Sequence, residues 1–197
     1  MEKDTSKLFG EWKDRSIKDK FKGSKEHKFL GRDRTLKINI ARLEHHIPDV
    51  LFSENKKKIL DVACGNGATL EVLNFYGHAA VGMDYSPGFK DGDWIYRPMI
   101  ESQNLKCTVH DGSILPYPFK NKQFDFLICY GAITFFKPIS IWPNVLNEFS
   151  RISKEGFLLG VNVGEIYDSG KKYIENWSHP DFNLLYKNGS IYRWGKK

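Results

Sequence analysis

The sequence predicts a doubly wound α/β domain, a mostly parallel sheet with helices on both faces and an antiparallel hairpin at its C-terminal edge. Three observations predict it. Across residues 58–161, apolar runs of strand length alternate with stretches of helical spacing. Alternation of this kind requires right-handed crossovers and a parallel sheet covered on both sides. Several of the runs end in an acid or a glycine, as strand tips that face a ligand do. Near the C-terminus, residues 182–186 and 191–194 flank Asn188-Gly189, the strongest short hairpin signal.

The elements follow in order. Residues 1–32 mix Lys and Glu with spaced aromatics at Phe9, Trp12, Phe21 and Phe29, which reads as a basic arm or lid helix preceding one domain at 33–197. Leu36, Ile40, Leu43 and Ile47 recur at helical spacing until Pro48 ends the run. Residues 58–63 read as a buried strand, 67–76 as a helix closed by Gly77, and 79–83 as a second strand. A loop rich in Gly, Asp and aromatics fills 85–97. Only a short helix from Pro98 fits before a third strand at 106–110. The fourth strand is 124–130. Trp142, Val145, Leu146, Phe149 and Ile152 mark an amphipathic helix with Pro143 near its start, and 156–161 is a fifth strand.

At 197 residues, 41% hydrophobic and 27% charged, the chain is long enough for one domain with a sizeable core. No apolar run reaches the length of a bilayer-spanning helix, and residues 1–10 lack the apolar core of a secretory signal. A cytoplasmic protein without membrane contact is expected. Three cysteines, Cys64, Cys107 and Cys129, show no zinc or redox spacing, so they read as reduced structural thiols and no metal is expected. The net charge of +6 is unevenly placed. Residues 1–32 and 171–197 each carry +4 and the middle carries −2. A solvated, solubilising surface accounts for this better than a dedicated polyanion site, though nucleic acid stays open.

Ligands of open parallel sheets bind beyond the carboxyl ends of the strands, so each tip is informative. The first reads I-L-D-V-A-C-G-N-G, in which Asp61 and Ala63 precede Gly65 and Gly67, and the glycines let the backbone bend close to a ligand. A nicotinamide dinucleotide site wants a third glycine where Leu70 stands. Asp61 is instead suited to an ammonium group. The second tip, Asp84-Tyr85, offers a carboxylate to two ribose hydroxyls. The third gives His110, then Asp111-Gly112-Ser113, with an acceptor beside small residues where a flat base with an exocyclic amine fits. The fourth ends at Tyr130-Gly131.

With these motifs the chain resembles the class I S-adenosylmethionine-dependent methyltransferases, in the small-molecule, methyltransferase type 11-like branch that includes quinone-biosynthesis and sugar methyltransferases. The resemblance covers roughly 58–161. It includes D-G-S-I-L-P-Y-P-F-K-N-K-Q-F-D-F-L-I-C-Y (111–130) and L-N-E-F-S-R-I-S-K-E-G-F-L-L (146–159). It implies a Rossmann-like fold, S-adenosylmethionine as cofactor and S-adenosylhomocysteine as product. It also implies that 59–67 holds the methionyl end, Asp84 the ribose and Asp111 the adenine side. The sequence departs from the family in a longer loop at 85–97 and in Glu155-Gly156 where two glycines are commoner.

A sulfonium methyl is already electrophilic, so holding an acceptor in line and excluding water is the main task, and no catalytic residue is assigned. His45, His46 and His110 are the proton acceptors within consideration, and Tyr130 and Phe135 the aromatic faces suited to a cation. Asp125 reads as structural. The expected acceptor is a small molecule. RNA or protein is the alternative, weakened for base amines because Cys129-Tyr130-Gly131-Ala132 stands where a polar-Pro-Pro-aromatic motif would be expected. A non-catalytic cofactor-binding module is a third reading, and a nicotinamide-dependent oxidoreductase a distant fourth.

Overall fold

The computed structural model describes residues 3–10, 31–85 and 95–197. Helix α1 (Arg32–His46) is followed by the single-turn α2 (Pro48–Leu51), β1 (Lys58–Val62), α3 (Ala68–Phe75), β2 (Ala79–Asp84), α4 (Arg97–Ser102) and β3 (Cys107–Val109). Then come β4 (Phe124–Tyr130), α5 (Trp142–Ile152), β5 (Ser153–Gly160), α6 (Glu165–Glu175), β6 (Phe182–Asn188) and β7 (Ile191–Lys196). The seven strands form one sheet in the order β3-β2-β1-β4-β5-β7-β6. Pairs from β3 through β5 are parallel, while β7 runs antiparallel to both β5 and β6. The mixed α/β class and its antiparallel hairpin are as the sequence predicts. Gly189, at φ 57°, takes the left-handed turn between β6 and β7.

The period of two along the strands divides the core into two layers. Ile59, Phe126, Ile128 and Leu158 face α1 and α3, packing with Leu36, Leu43, Leu70 and Leu73. Leu60, Val62, Leu127, Phe157 and Leu159 face the other way, onto Trp142, Leu146 and Phe149 of α5. Asp61 shares the face of Ile59, which turns its carboxylate toward α1 and α3. At the opposite end of the sheet Asp125 accepts from the Lys58 N–H (2.7 Å) and from the Lys154 ammonium (2.7 Å). It thereby ties β1, β4 and the start of β5 together, which is a structural role.

The resemblance motifs at 115–119 and 146–151 meet in space. Glu148 accepts the Tyr117 N–H at 2.6 Å and pairs with Arg151, whose guanidinium also donates to the Phe119 and Tyr117 carbonyls. Pro48 ends α1 as expected and, with its fixed φ, immediately opens α2. The sequence reading placed no helix at α6. Its buried face consists of Tyr167, Gly170 and Ile174, so glycine interrupts the apolar stripe. A Cβ on Gly170 would lie 2.1 Å from the Trp142 ring, which is why a glycine occupies mid-helix there. Of the N-terminal segment, residues 3–10 dock against the domain. Leu8 is buried beside α1 and α3, and Arg32 donates to the Leu8 and Gly10 carbonyls. Residues 11–30, the bulk of the expected arm, lie outside the described residues.

Candidate cofactor cleft and acceptor trough

Strand order reverses between β1 and β4, and the turn that follows β1 lies at this switch point. Ala63 (φ 58°), Gly65 (φ 55°) and Gly67 (φ 82°) all take left-handed conformations, which coil the backbone back before α3 begins. Ala63 does so at a cost of about 1–2 kcal/mol. Its N–H and that of Cys64 both donate to the Met83 carbonyl, which pins the turn to β2. Gly67 serves packing: a Cβ there would sit 2.5 Å from Leu105 Cδ1 and 2.7 Å from Ile100 Cδ1. It lines neither of the cavities that this turn separates.

The first cavity, about 300 Å³, is walled by Asp84, Tyr85, His110, Asp111, Ser113 and Phe136, with Ala63 and Gly112 also at its surface. The buried Asp84 accepts the Gly65 N–H at 2.7 Å, so the second strand tip braces the glycine bend. Asp111 accepts from the Ser113 N–H (2.8 Å) and hydroxyl (2.6 Å). Gly112 lies under the Phe136 ring, where a Cβ would approach to 2.2 Å. His110 Nε2 donates to the Ile114 carbonyl at 2.9 Å, which occupies its proton.

The second cavity, about 190 Å³, shares Ala63 with the first and is walled by Arg42, Asp61, Gly65, Asn66, Thr69 and Tyr130. The Arg42 guanidinium lies 4.2 Å above the Tyr130 ring, so a cation and the buried acid Asp61 open onto one space. Burial, reinforced by the Asp84 charge and opposed by the Thr69 hydroxyl, pushes the Asp61 carboxyl up to about 7. His46 packs near Tyr130 (6.4 Å between centroids) and Tyr186 (6.0 Å), and lines neither cavity. Burial and its cationic neighbours hold its imidazole below the usual range.

Sequence reading missed Arg42. The legible signal was a polar stripe, Thr35, Asn39 and Arg42, beside the apolar stripe of α1. In the structure that stripe faces the glycine turn. Asn39 accepts from the Thr69 hydroxyl (3.2 Å), and Asn66 Nδ2 reaches Thr35 Oγ1 (3.4 Å).

Phe135 is shared between the first cavity and a third, a trough of about 370 Å³ walled by Phe135, Asn162, Val163, Glu165, Ile166 and Tyr167. Phe135 is 75% exposed and Val163 77% exposed. Leaving such side chains in water forgoes about 1.5–3 kcal/mol each, so fold stability does not explain them. Asn162 Nδ2 donates to the Gly131 carbonyl at 2.7 Å.

An open parallel sheet with an acid-lined, glycine-bent cleft at its switch point defines an α/β protein of the nucleoside-cofactor type. The family model described as a methyltransferase domain matches residues 59–156, the stretch holding β1 through the start of β5. The chain carries a class I S-adenosylmethionine-dependent methyltransferase domain, and S-adenosylmethionine is the cofactor of that family. Among curated proteins it is similar to the 18S rRNA (guanine-N(7))-methyltransferase bud23 of Schizosaccharomyces pombe, 33% identical over 85 residues. That match spans 43% of this chain and 30% of the relative. Two solved structures show the same fold. The PH0226 protein of Pyrococcus horikoshii is 22% identical with full coverage of both chains and a TM-score of 0.59. A TehB-like SAM-dependent methyltransferase of Corynebacterium glutamicum is 18% identical over 87% of this chain and 97% of its own, TM-score 0.56. Among the described residues no helix is long and apolar enough to cross a membrane.

Proposed function

We propose that the protein methylates a ring nitrogen of a purine in RNA, with guanine N7 the favoured atom. The observation that carries this reading is the pairing of an acid-lined cofactor cleft with an open trough toward which no histidine among the described residues is directed. His110 lies on the wall of the cofactor cavity and not of the trough, and His45 and His46 line none of the three cavities. A histidine base would mark an acceptor that must lose a proton, whereas guanine N7 presents a free lone pair and needs none. The likeness to an rRNA guanine-N7 methyltransferase supports the same atom. So does the trough's openness. Small-ligand sites bury most of their ligand, and walls as exposed as Phe135 and Val163 suit an acceptor that brings its own bulk.

The residues present fit the cofactor. In this reading Arg42 holds the carboxylate of its amino-acid end and Asp61 the ammonium. Asp84 accepts from the ribose hydroxyls, and Asp111 with Ser113 borders the base. Tyr85, Gly112 and Phe136 close the walls, while Ala63 and Gly65 give the backbone bend its close approach. When bound, S-adenosylmethionine supplies an electrophilic methyl on a sulfonium. Tyr130 lines the second cavity with Arg42 and Ala63, where an aromatic face favours cationic character. Phe135 divides the cofactor space from the acceptor space and excludes water from the line between them.

The test is transfer of labelled methyl from S-adenosylmethionine to a total RNA pool, followed by nucleoside analysis. Label in 7-methylguanosine is the expected result. Label confined to a small-metabolite pool would replace this reading by the small-molecule acceptor that the motif branch suggests.

A further inference from the structure

Resting on the RNA-guanine reading above, we propose that the trough beside Phe135 is a base-reading subsite, in which Phe135 stacks the guanine and Glu165 accepts hydrogen bonds from its Watson–Crick edge. Phe135 is a wall of both the trough and the first cavity, so a flat ring lying on that side chain borders the cofactor cleft. Val163 and Ile166 give the ring an apolar bed. Against this bed stands one carboxylate. The Glu165 carboxylate has no hydrogen bond or ion pair among the described residues, although the other polar side chains on the β5–α6 side of the wall are engaged. Asn162 holds Gly131, and Tyr167 shares a 2.7 Å hydrogen bond with Tyr192.

A carboxylate beside an apolar bed selects for a planar ring that donates. Guanine does so with N1–H and its exocyclic amine, on the edge opposite N7, so the same base that offers a lone pair to the methyl offers donors to the acid. Adenine has no donor at N1, and its amine lies on the N7 side of the ring. Aromatic stacking with edge recognition is the general mode by which proteins read unpaired RNA bases. The ordinary role of an acid in the first turn of a helix, complementing the helix dipole of α6, predicts an effect on stability alone.

The experiment compares methyl transfer to a short single-stranded RNA bearing one guanine with transfer to the same RNA bearing inosine there. Inosine keeps N7 and N1–H and lacks the exocyclic amine. Wild-type protein is expected to prefer guanine by about tenfold in kcat/KM, the discrimination given by one hydrogen bond to a charged acceptor. Glu165→Gln, of the same shape, brings the ratio close to one, with unchanged S-adenosylmethionine affinity and melting temperature. Phe135→Leu lowers transfer to both RNAs and Phe135→Trp restores it. Equal wild-type rates on the two RNAs, or a ratio untouched in Glu165→Gln, overturn the subsite while leaving guanine methylation standing. Absence of transfer to either RNA by protein that binds S-adenosylmethionine removes the underlying function, and the subsite with it.

Discussion

Asp61 and Asp84 occupy neighbouring strand tips, both nearly excluded from water, and each raises the electrostatic cost of the other. The consequence for pH follows from the sign of the shift. Asp61 is raised in the folded protein to about 7, so the folded state holds its proton more tightly than the unfolded chain. Its contribution to stability is complete below the ordinary carboxylate range and is lost as pH rises toward 7. In the proposed site ligand binding follows the opposite course, because an ammonium held by Asp61 needs the ionised acid. S-Adenosylmethionine affinity, measured by calorimetry, should rise as pH goes from 6 to 8, at most about tenfold per unit below 7. The rise should vanish in Asp61→Asn; an identical pH profile in that variant removes Asp61 from the site. Asp84→Ala should weaken the cofactor by about 1–3 kcal/mol, the loss of hydrogen bonds to a charged acceptor. Arg42→Met, which keeps an unbranched apolar chain and deletes the charged guanidinium over Tyr130, should cost a similar amount. An S-adenosylmethionine analogue lacking only the carboxylate charge should then bind wild type and variant alike.

Between elements, the cleft depends on how α1 and α3 are held together. Arg32 at the start of α1 forms a buried ion pair with Glu71 of α3, and the same guanidinium donates to two carbonyls of the N-terminal segment. Removing one member of such a pair strands the other charge. Glu71→Ala should therefore lower the unfolding free energy in urea by about 3–5 kcal/mol. On the far face, α6 lies against the Trp142 ring at Gly170 with no space for a methyl group. Gly170→Ala should cost about 1–3 kcal/mol by overpacking, despite alanine's better helix propensity. A stabilised Gly170→Ala protein would contradict the observed packing of α6 on α5.

For the whole molecule, charge distribution governs the encounter with RNA that the proposed function requires. The two flanks carry +4 each while the middle is −2, so attraction to a polyanion comes from the ends of the chain. If about four phosphates are neutralised, the logarithm of RNA affinity should fall against the logarithm of salt with a slope of about −3. Cofactor binding, made in a recessed cleft, should change far less over the same range. A flat RNA profile would deny the flanks any part in recognition. The positions of β1, β2, β4 and β5 were legible because a buried strand announces itself within five to eight residues. The Asp84, Asp111 and Gly65 placements were legible for the same local reason, since each follows its strand by at most three residues or ends it. Helix α6 was not, because Gly170 answers to Trp142, a residue distant in sequence. Gly67 looked like a cleft residue and instead packs on Ile100 and Leu105.

The order of amino acids by itself determined the α/β class, the hairpin and the methyltransferase motifs, because these arise from periodicity and from residues adjacent along the chain. Tertiary structure alone decided that Arg42 of α1 joins Asp61 of β1 on one cavity, and that Phe135 after β4 meets Glu165 of α6 across one trough. Such pairs are created when distant segments pack on a common sheet. A helix's spacing reveals which face is buried, and only the packed sheet reveals what that face is buried against.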